Sequence, residues 1–156
     1  MDKKFDKIMH SILVNAVVFK GDKVLVSQRS FEEHHEPGKW TIPGGKVERQ
    51  KEDIVFNIIE NTLKKEVIEE TGIKIKDKIE FISNNTFVRS NGQHVVAMIF
   101  KCKYKSGEAQ ALEDTIACKW ATKKEINAME FPQNVKEYIL KAFELQEKLK
   151  KLIKLC

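Results

Sequence analysis

The stretch "KKEVIEETGI", residues 64–73, holds the side chains best placed to do chemistry. At about 100° per residue, Glu66, Glu69 and Glu70 fall at i, i+3 and i+4, so they share one helix face and could converge on a single point. Such a set suits a hard cation, because Mg²⁺ takes oxygen ligands and is commonly held by one or two carboxylates together with substrate phosphates. The same residues also fit a solvated helix laced with ion pairs. Glu60 precedes Lys64 by four positions and Lys65 precedes Glu69 by four, and taken alone the stretch reads more readily that way. The like-charged Glu66/Glu70 pair costs only about 0.2–0.5 kcal/mol, too little to demand a cation. The surrounding chain has to decide.

A helix must carry these glutamates, and the pattern turns helical from Asp53 to Thr71, with Ile59, Leu63 and Val67 spaced by four beside the acidic face. Gly72 ends it as a C′ glycine would. Ahead of the helix, "GKWTIPGGKVE" from Gly38 to Glu48 runs a strand-like segment into a Gly-Gly turn, which allows close backbone approaches that side chains would forbid. A glycine turn before a helix can also cradle phosphate. Lys39 and Lys46 bracket this turn as candidate phosphate counter-charges, and residues 30–45 form a loop whose length hints at function.

The remaining elements read as a frame. Ile12–Phe19 and Val24–Gln28 form a hairpin across Gly21-Asp22. Strands at 79–88 and 94–104 follow, joined through Asn91-Gly92, with Val96, Met98, Phe100, Cys102 and Tyr104 alternating. After a turn at Gly107, Thr115–Ala121 makes another strand, and Thr122 with Glu125 forms a capping box for a short helix. The last helix, 133–153, carries an apolar stripe through Val135, Tyr138, Ile139, Ala142, Leu145, Leu149 and Leu152. Its start packs on the core; towards Leu155 it is a candidate homodimer contact.

The 156 residues suit a single domain spanning 1–156, and 42% hydrophobic with 33% charged residues fits a soluble globular chain. With no apolar run near the roughly 20 residues that span a bilayer, and no signal-peptide pattern, a cytoplasmic protein without membrane contact is expected. Cys102, Cys118 and Cys156 show neither disulfide nor zinc spacing. Of the net charge of +5, residues 136–154 supply +3 through six Lys against three Glu. These lysines lack interleaved aromatics, so no stable nucleic-acid complex is expected, while a mildly positive surface suits a small polyphosphate. His34, His35 and His94 have no metal-ligand spacing.

The glycine corner and the glutamate helix together resemble the Nudix hydrolases, whose signature is G-x5-E-x7-REUxEExGU, U being a bulky aliphatic. Gly45 supplies the first glycine, and Lys65-Glu66-Val67-Ile68-Glu69-Glu70-Thr71-Gly72-Ile73 the second half. Two departures stand out. The signature's arginine is Lys65, which keeps the charge but loses the planar fork that holds a carboxylate through two hydrogen bonds. Gly45 to Lys65 spans 20 positions where the signature gives 14, so six residues are inserted, and the first glutamate is assigned to Glu52 with Glu48 in reserve.

The resemblance implies an α/β fold, a Nudix-type α/β/α sandwich with a mixed β-sheet between helices. It also implies an enzyme, a nucleotide pyrophosphohydrolase that uses Mg²⁺ or Mn²⁺ and water to cleave a nucleoside diphosphate linked to another group. The substrate expected is a (deoxy)nucleoside triphosphate, yielding monophosphate and pyrophosphate. Glu69 and Glu70 are the leading metal ligands, with Glu52 and Gly45; Glu66 is a ligand or the base that orients water, and Glu66 and Glu69 are the catalytic pair. By the same resemblance Arg29 contacts phosphate, Glu113 or Asp114 supplies a further acidic group, and Asn134 in "FPQN" reads the base or else caps the last helix. Asn84, Asn85 and Arg89 suit strand-end or turn roles as well as a cleft. The alternatives are an ADP-ribose or dinucleotide polyphosphate hydrolase, a non-catalytic nucleotide-binding regulatory domain of the same fold and, more remotely, an isoprenoid diphosphate isomerase.

Overall fold

The computed structural model describes residues 9–156. Strands β1 (Ser11–Lys20) and β2 (Lys23–Arg29) form the expected hairpin, turning at Gly21 with φ 63°, a value that favours glycine. They pair only at the turn, Phe19 with Val24 and Lys20 with Lys23, and then separate. Beyond that point β1 takes β4 (Gly44–Lys46) on its open edge, Leu13 opposite Lys46 and Asn15 opposite Gly44. β2 instead takes β3 (Trp40–Thr41) on one edge and β8 (Thr115–Thr122) on the other.

β1 also runs parallel to β7 (His94–Ser106), which pairs antiparallel with β6 (Glu80–Val88) and, at its far end, with β5 (Lys74–Ile75). The described residues thus form one mixed eight-stranded sheet. Alternation along β1 sends Val14, Ala16 and Val18 to one face and Val17 and Phe19 to the other. On the first face Leu63 and Val67 of helix α1 (Ile58–Thr71) complete a core with Leu25, Ile73 and Cys102. On the second, Ile126 of α2 (Lys123–Ala128) and Tyr138, Ile139, Ala142 and Phe143 of α3 (Gln133–Leu155) complete another. The sheet lies between helices, the α/β/α sandwich expected, and no described helix is long and apolar enough to cross a membrane.

Three details differ from the sequence reading. α1 begins at Ile58 rather than Asp53, because Asn57 adopts a left-handed conformation (φ 58°) and Ile54 and Phe56, 77% and 80% exposed, find no core to pack against. Trp40–Thr41 and Gly44–Lys46 pair as strands inside the expected loop, and β5 is too short for an alternation pattern to reveal. The capping box of α2 forms as expected: the Glu125 amide donates to the Thr122 hydroxyl oxygen at 3.3 Å, and the Thr122 amide donates to the Glu125 carboxylate at 2.7 Å.

Burial on α3 falls off along its length, from Ile139 at 0% exposure to Ile153 at 75%. Ile139→Ala is therefore expected to lower the unfolding free energy by about 2–5 kcal/mol, and Ile153→Ala by under about 0.5 kcal/mol. Urea denaturation of both variants measures the difference; equal losses would contradict this division of the helix.

Candidate active site

A cleft of about 280 Å³ opens where β1 and β2 part. Its walls include Asn15 of β1, Ser27 and Arg29 of β2, the Gly44-Gly45 backbone of β4, and Glu70 at the end of α1. The glycines are required by proximity. A Cβ on Gly44 would collide with the Val14 carbonyl oxygen and the Asn15 amide, and one on Gly45 would stand 2.7 Å from both carboxylate oxygens of Glu66. The bare backbone therefore lies directly against the acidic face of α1. The Gly44 N–H donates to Glu70 Oε2 at 3.4 Å.

The three glutamates do not meet at one point. Glu70 turns to Gly44 and Glu66 to Gly45, while Glu69 is half-buried and acts on Glu66 through its charge. Burial raises the pKa of the Glu70 carboxyl to about 8, helped by the charges of Glu66 and Glu113 and opposed by the Gly44 hydrogen bond and Arg29. Burial also raises Glu66, helped by Glu69, Glu113 and Glu48 and opposed by Lys65. Acidic groups from three parts of the chain thus bear on one helix end.

The contribution of Glu113 has a backbone cause. The amides of Gln110 and Leu112 donate to the carbonyls of Thr71 and Glu70, at 3.0 and 3.2 Å, so the loop after β7 caps the C-terminal end of α1. Gly72, with φ 73°, returns its N–H to Ile68 O at 2.9 Å, and Gly107 packs against it where a Cβ would strike the Gly72 carbonyl. Docked this way, the loop brings Glu113, itself at φ 50°, and Asp114 to the cleft wall. Sequence reasoning had the acidic pair and lacked the docking contact that positions it.

The other sequence candidates divide. Arg29 lines the cleft, its guanidinium held by the Glu33 carboxylate at 3.1 Å and the His35 carbonyl at 2.8 Å. Lys46 is exposed at the cleft mouth. In the inserted segment between β4 and α1, Glu48 and Glu52 are both exposed, and it is Glu48 that shares a hollow with Glu66 and acts on it through its charge. The geometry thus brings the reserve glutamate, rather than Glu52, towards the helix. Lys39 and Asn134 lie together in a different groove beside Phe131 and Glu137, with Lys39 paired to Glu36 at 2.7 Å. Asn134 sits in the first turn of α3 and donates to the Tyr138 hydroxyl, which itself donates to Asn85; the N-cap position is Pro132, so the capping role does not apply. Arg89, which suits a turn or a cleft equally in the sequence, lines the cleft.

The donor set at the α1 end is all oxygen and anionic, which matches a hard divalent cation in chemistry. As placed, no three His, Cys, Asp or Glu side chains among the described residues stand close enough to enclose an ion. Burial and the neighbouring acidic charges favour the neutral forms of Glu66 and Glu70. A cation would reverse that balance, and the residues fit it on that ground.

Residues 9–143 match the NUDIX domain family. A MutT-like protein of Streptomyces ambofaciens is 29% identical over 120 residues, covering 76% of this chain and 68% of that protein. The NUDIX domain of Shewanella oneidensis NrtR, solved with ADP ribose, superposes with a TM-score of 0.74 at 22% identity, covering 94% of each chain. The MutT protein of Methanosarcina mazei Go1 superposes with a TM-score of 0.70 at 23% identity, covering 89% of this chain and 96% of that one.

The raised carboxyl of Glu70 sets a pH dependence. Its folded pKa of about 8 lies above the ordinary carboxyl value of 4.5, so folding favours the protonated form. The stabilisation is complete below about 4.5 and is lost as pH rises through about 8. In chelator, the melting temperature is expected to fall across this window, and Glu70→Gln to flatten the fall. A profile unchanged by that substitution would contradict the assignment.

Proposed function

The chain belongs to the NUDIX domain family and is a Nudix hydrolase, and from that premise we propose that it hydrolyses a nucleoside diphosphate linked to another group. The substrate we favour is a (deoxy)nucleoside triphosphate, released as monophosphate and pyrophosphate. The observation that carries this reading is the joining of Glu70, Arg29, Glu113 and the Gly44-Gly45 backbone around one cleft, with Glu66 against Gly45.

Glu66, Glu69 and Glu70, with the Gly45 carbonyl and a glutamate of the inserted segment, are the proposed metal ligands; of Glu52 and Glu48, the placement favours Glu48. When bound, Mg²⁺ or Mn²⁺ supplies Lewis acidity and neutralises charge on the diphosphate. The chain's own residues do the rest. Glu66 and Glu69 are the proposed catalytic pair, with Glu66 accepting a proton from the attacking water, a task that its raised pKa suits. Oxygen adds to phosphorus as the bond to the leaving phosphate oxygen breaks. Arg29, already oriented by Glu33, holds a phosphate through charge-assisted hydrogen bonds. Lys46 and Glu113 flank the cleft, and Lys39 with Asn134 provide a substrate contact in the groove beside it.

We take the chain as one catalytic domain acting on a small molecule, without stable nucleic-acid or membrane contact. Its three free cysteines suit the reducing cytoplasm. A second reading, an ADP-ribose or dinucleotide polyphosphate hydrolase or a regulatory domain that binds without turnover, draws support from the NrtR domain solved with ADP ribose.

Purified protein is expected to cleave at least one member of a panel of nucleoside triphosphates, ADP-ribose and dinucleotides at a phosphate–phosphate bond, read by chromatography of the nucleotide products, and only with Mg²⁺ or Mn²⁺ present. Glu66→Gln, Glu69→Gln and Glu70→Gln should each lower turnover by about 10²–10⁴-fold while leaving the fold intact by circular dichroism. Full activity in excess chelator would defeat the mechanism, and nucleotide binding without turnover would favour the regulatory reading.

A further inference from the structure

Residues 148–155 read KLKKLIKL, four lysines and four aliphatic residues with no acid among them. They form the last two turns of α3, and every one of them is exposed. The helix leaves the body at a definite point. Gln146 donates to the Gly21 carbonyl at 3.0 Å and Glu147 pairs with Lys123 at 2.9 Å, contacts made to the β1–β2 turn and to the start of α2. Beyond them the exposure of the leucines rises, from 45% at Leu149 to 60% at Leu152 and 84% at Leu155. This apolar surface adds nothing to the core of the fold, and a contiguous exposed patch of this kind marks an interaction surface.

The arrangement of the side chains selects the partner. At about 100° per residue, Leu145, Leu149, Leu152, Ile153 and Leu155 fall within an arc of about 160°. Lys148 and Lys151 stand at one border of this arc, where flexible stems can carry their charges past the apolar face. Lys150 and Lys154 lie behind it. Across a helix about 10–12 Å wide, even these stay roughly one Debye length from a surface that the apolar face touches. Lys123 and Lys124 of α2 border the same hollow as Lys150, against Asp22 and Glu147, so the positive charge continues onto the body. A second copy of the helix would set four lysines against four with no acid in the segment to pair them. A nucleic acid strand would use the lysines and leave the aliphatic face wet. A bilayer with anionic headgroups takes up both features at once.

We propose that the distal part of α3, residues 145–155, docks reversibly on an anionic phospholipid surface, its leucines and Ile153 entering the interface and its lysines meeting the headgroups. The expectation of a chain without membrane contact rests on the lack of a spanning run, and a helix lying in the interface needs none. With five aliphatic residues and no span, the contact is one of exchange with solution rather than stable attachment. It leaves the cleft open. α3 departs beside the β1–β2 turn at Gly21, whereas the cleft opens at the other end of that hairpin, at Asn15, Ser27 and Arg29.

Flotation of the whole chain with vesicles tests this without reference to turnover. Vesicles of phosphatidylserine and phosphatidylcholine in equal parts should bind it about tenfold or more tightly than phosphatidylcholine alone. Replacing Leu152→Gln and Ile153→Gln together should weaken binding to the mixed vesicles by about tenfold or more. Both side chains are largely exposed, at 60% and 75%, so circular dichroism and melting temperature should stay unchanged. Lys148→Gln with Lys151→Gln should weaken binding by about fivefold for each lysine removed. No binding to the mixed vesicles, equal binding to both kinds, or binding that survives the Leu152 and Ile153 changes would overturn the proposal. So would a dimer, seen by sedimentation equilibrium, that the same double substitution dissociates, since the apolar face would then belong to a second copy.

Discussion

The site depends on one close approach, that of the Gly44-Gly45 backbone to the acidic face of α1. A Cβ on Gly44 would strike the β1 backbone, and one on Gly45 would have to displace the Glu66 carboxyl. That approach is possible because β4 is hydrogen bonded to β1, which fixes the corner, while Leu63 and Val67 anchor the opposite side of the helix in the core. Two independent restraints therefore hold carboxylates against a backbone edge. Burial at this contact, reinforced by the neighbouring negative charges, raises the pKa values of Glu66 and Glu70.

The cleft itself is a consequence of sheet topology. A hairpin that stayed paired along its length would close this space. Here β1 and β2 pair at two positions and then recruit different partners, and the gap between them becomes the cleft. Glu70 reaches it from the helix, Arg29 from β2, and two more acids from a loop tied to the helix end by backbone hydrogen bonds. Gly72 and Gly107 belong to this arrangement as much as the glutamates do, since their contact sets where Glu113 stands.

Legibility in the sequence followed the range of the interaction. The hairpins, the capping box and the glutamate helix rest on contacts between near neighbours or on one buried face, and the residue pattern displayed them. The signature-like stretch from Lys65 to Ile73 similarly carried the family resemblance within a single element. The start of α1 was misread because Ile54 and Phe56 extend an apolar pattern that the tertiary structure leaves exposed. The choice between Glu48 and Glu52 was hidden because the inserted residues break the spacing that would have fixed it. Asn134 was assigned from the segment it occupies, and nothing local reveals that its groove is separate from the cleft. For Arg89 the sequence leaves a turn and the cleft equally open, and only the fold places it in the cleft wall.

Charge is distributed unevenly along the chain. The protein is positive overall at +5, yet its cleft gathers Glu70, Glu113 and Asp114, with Glu66 beside it against Gly45. Much of the compensating charge lies on the distal part of α3, away from the cleft. The nearby arginine, Arg29, is partly neutralised by Glu33, and it lowers Glu70 less than burial and Glu66 raise it. Substituting Lys65 for the signature's arginine weakens local compensation further, because a lysine offers a point charge where arginine would brace a carboxylate in two places. An acidic cluster left undercompensated by its own protein is destabilising in isolation and gains most from an external cation. The feature that costs the fold stability at high pH is therefore the same one that suits the site to a cation.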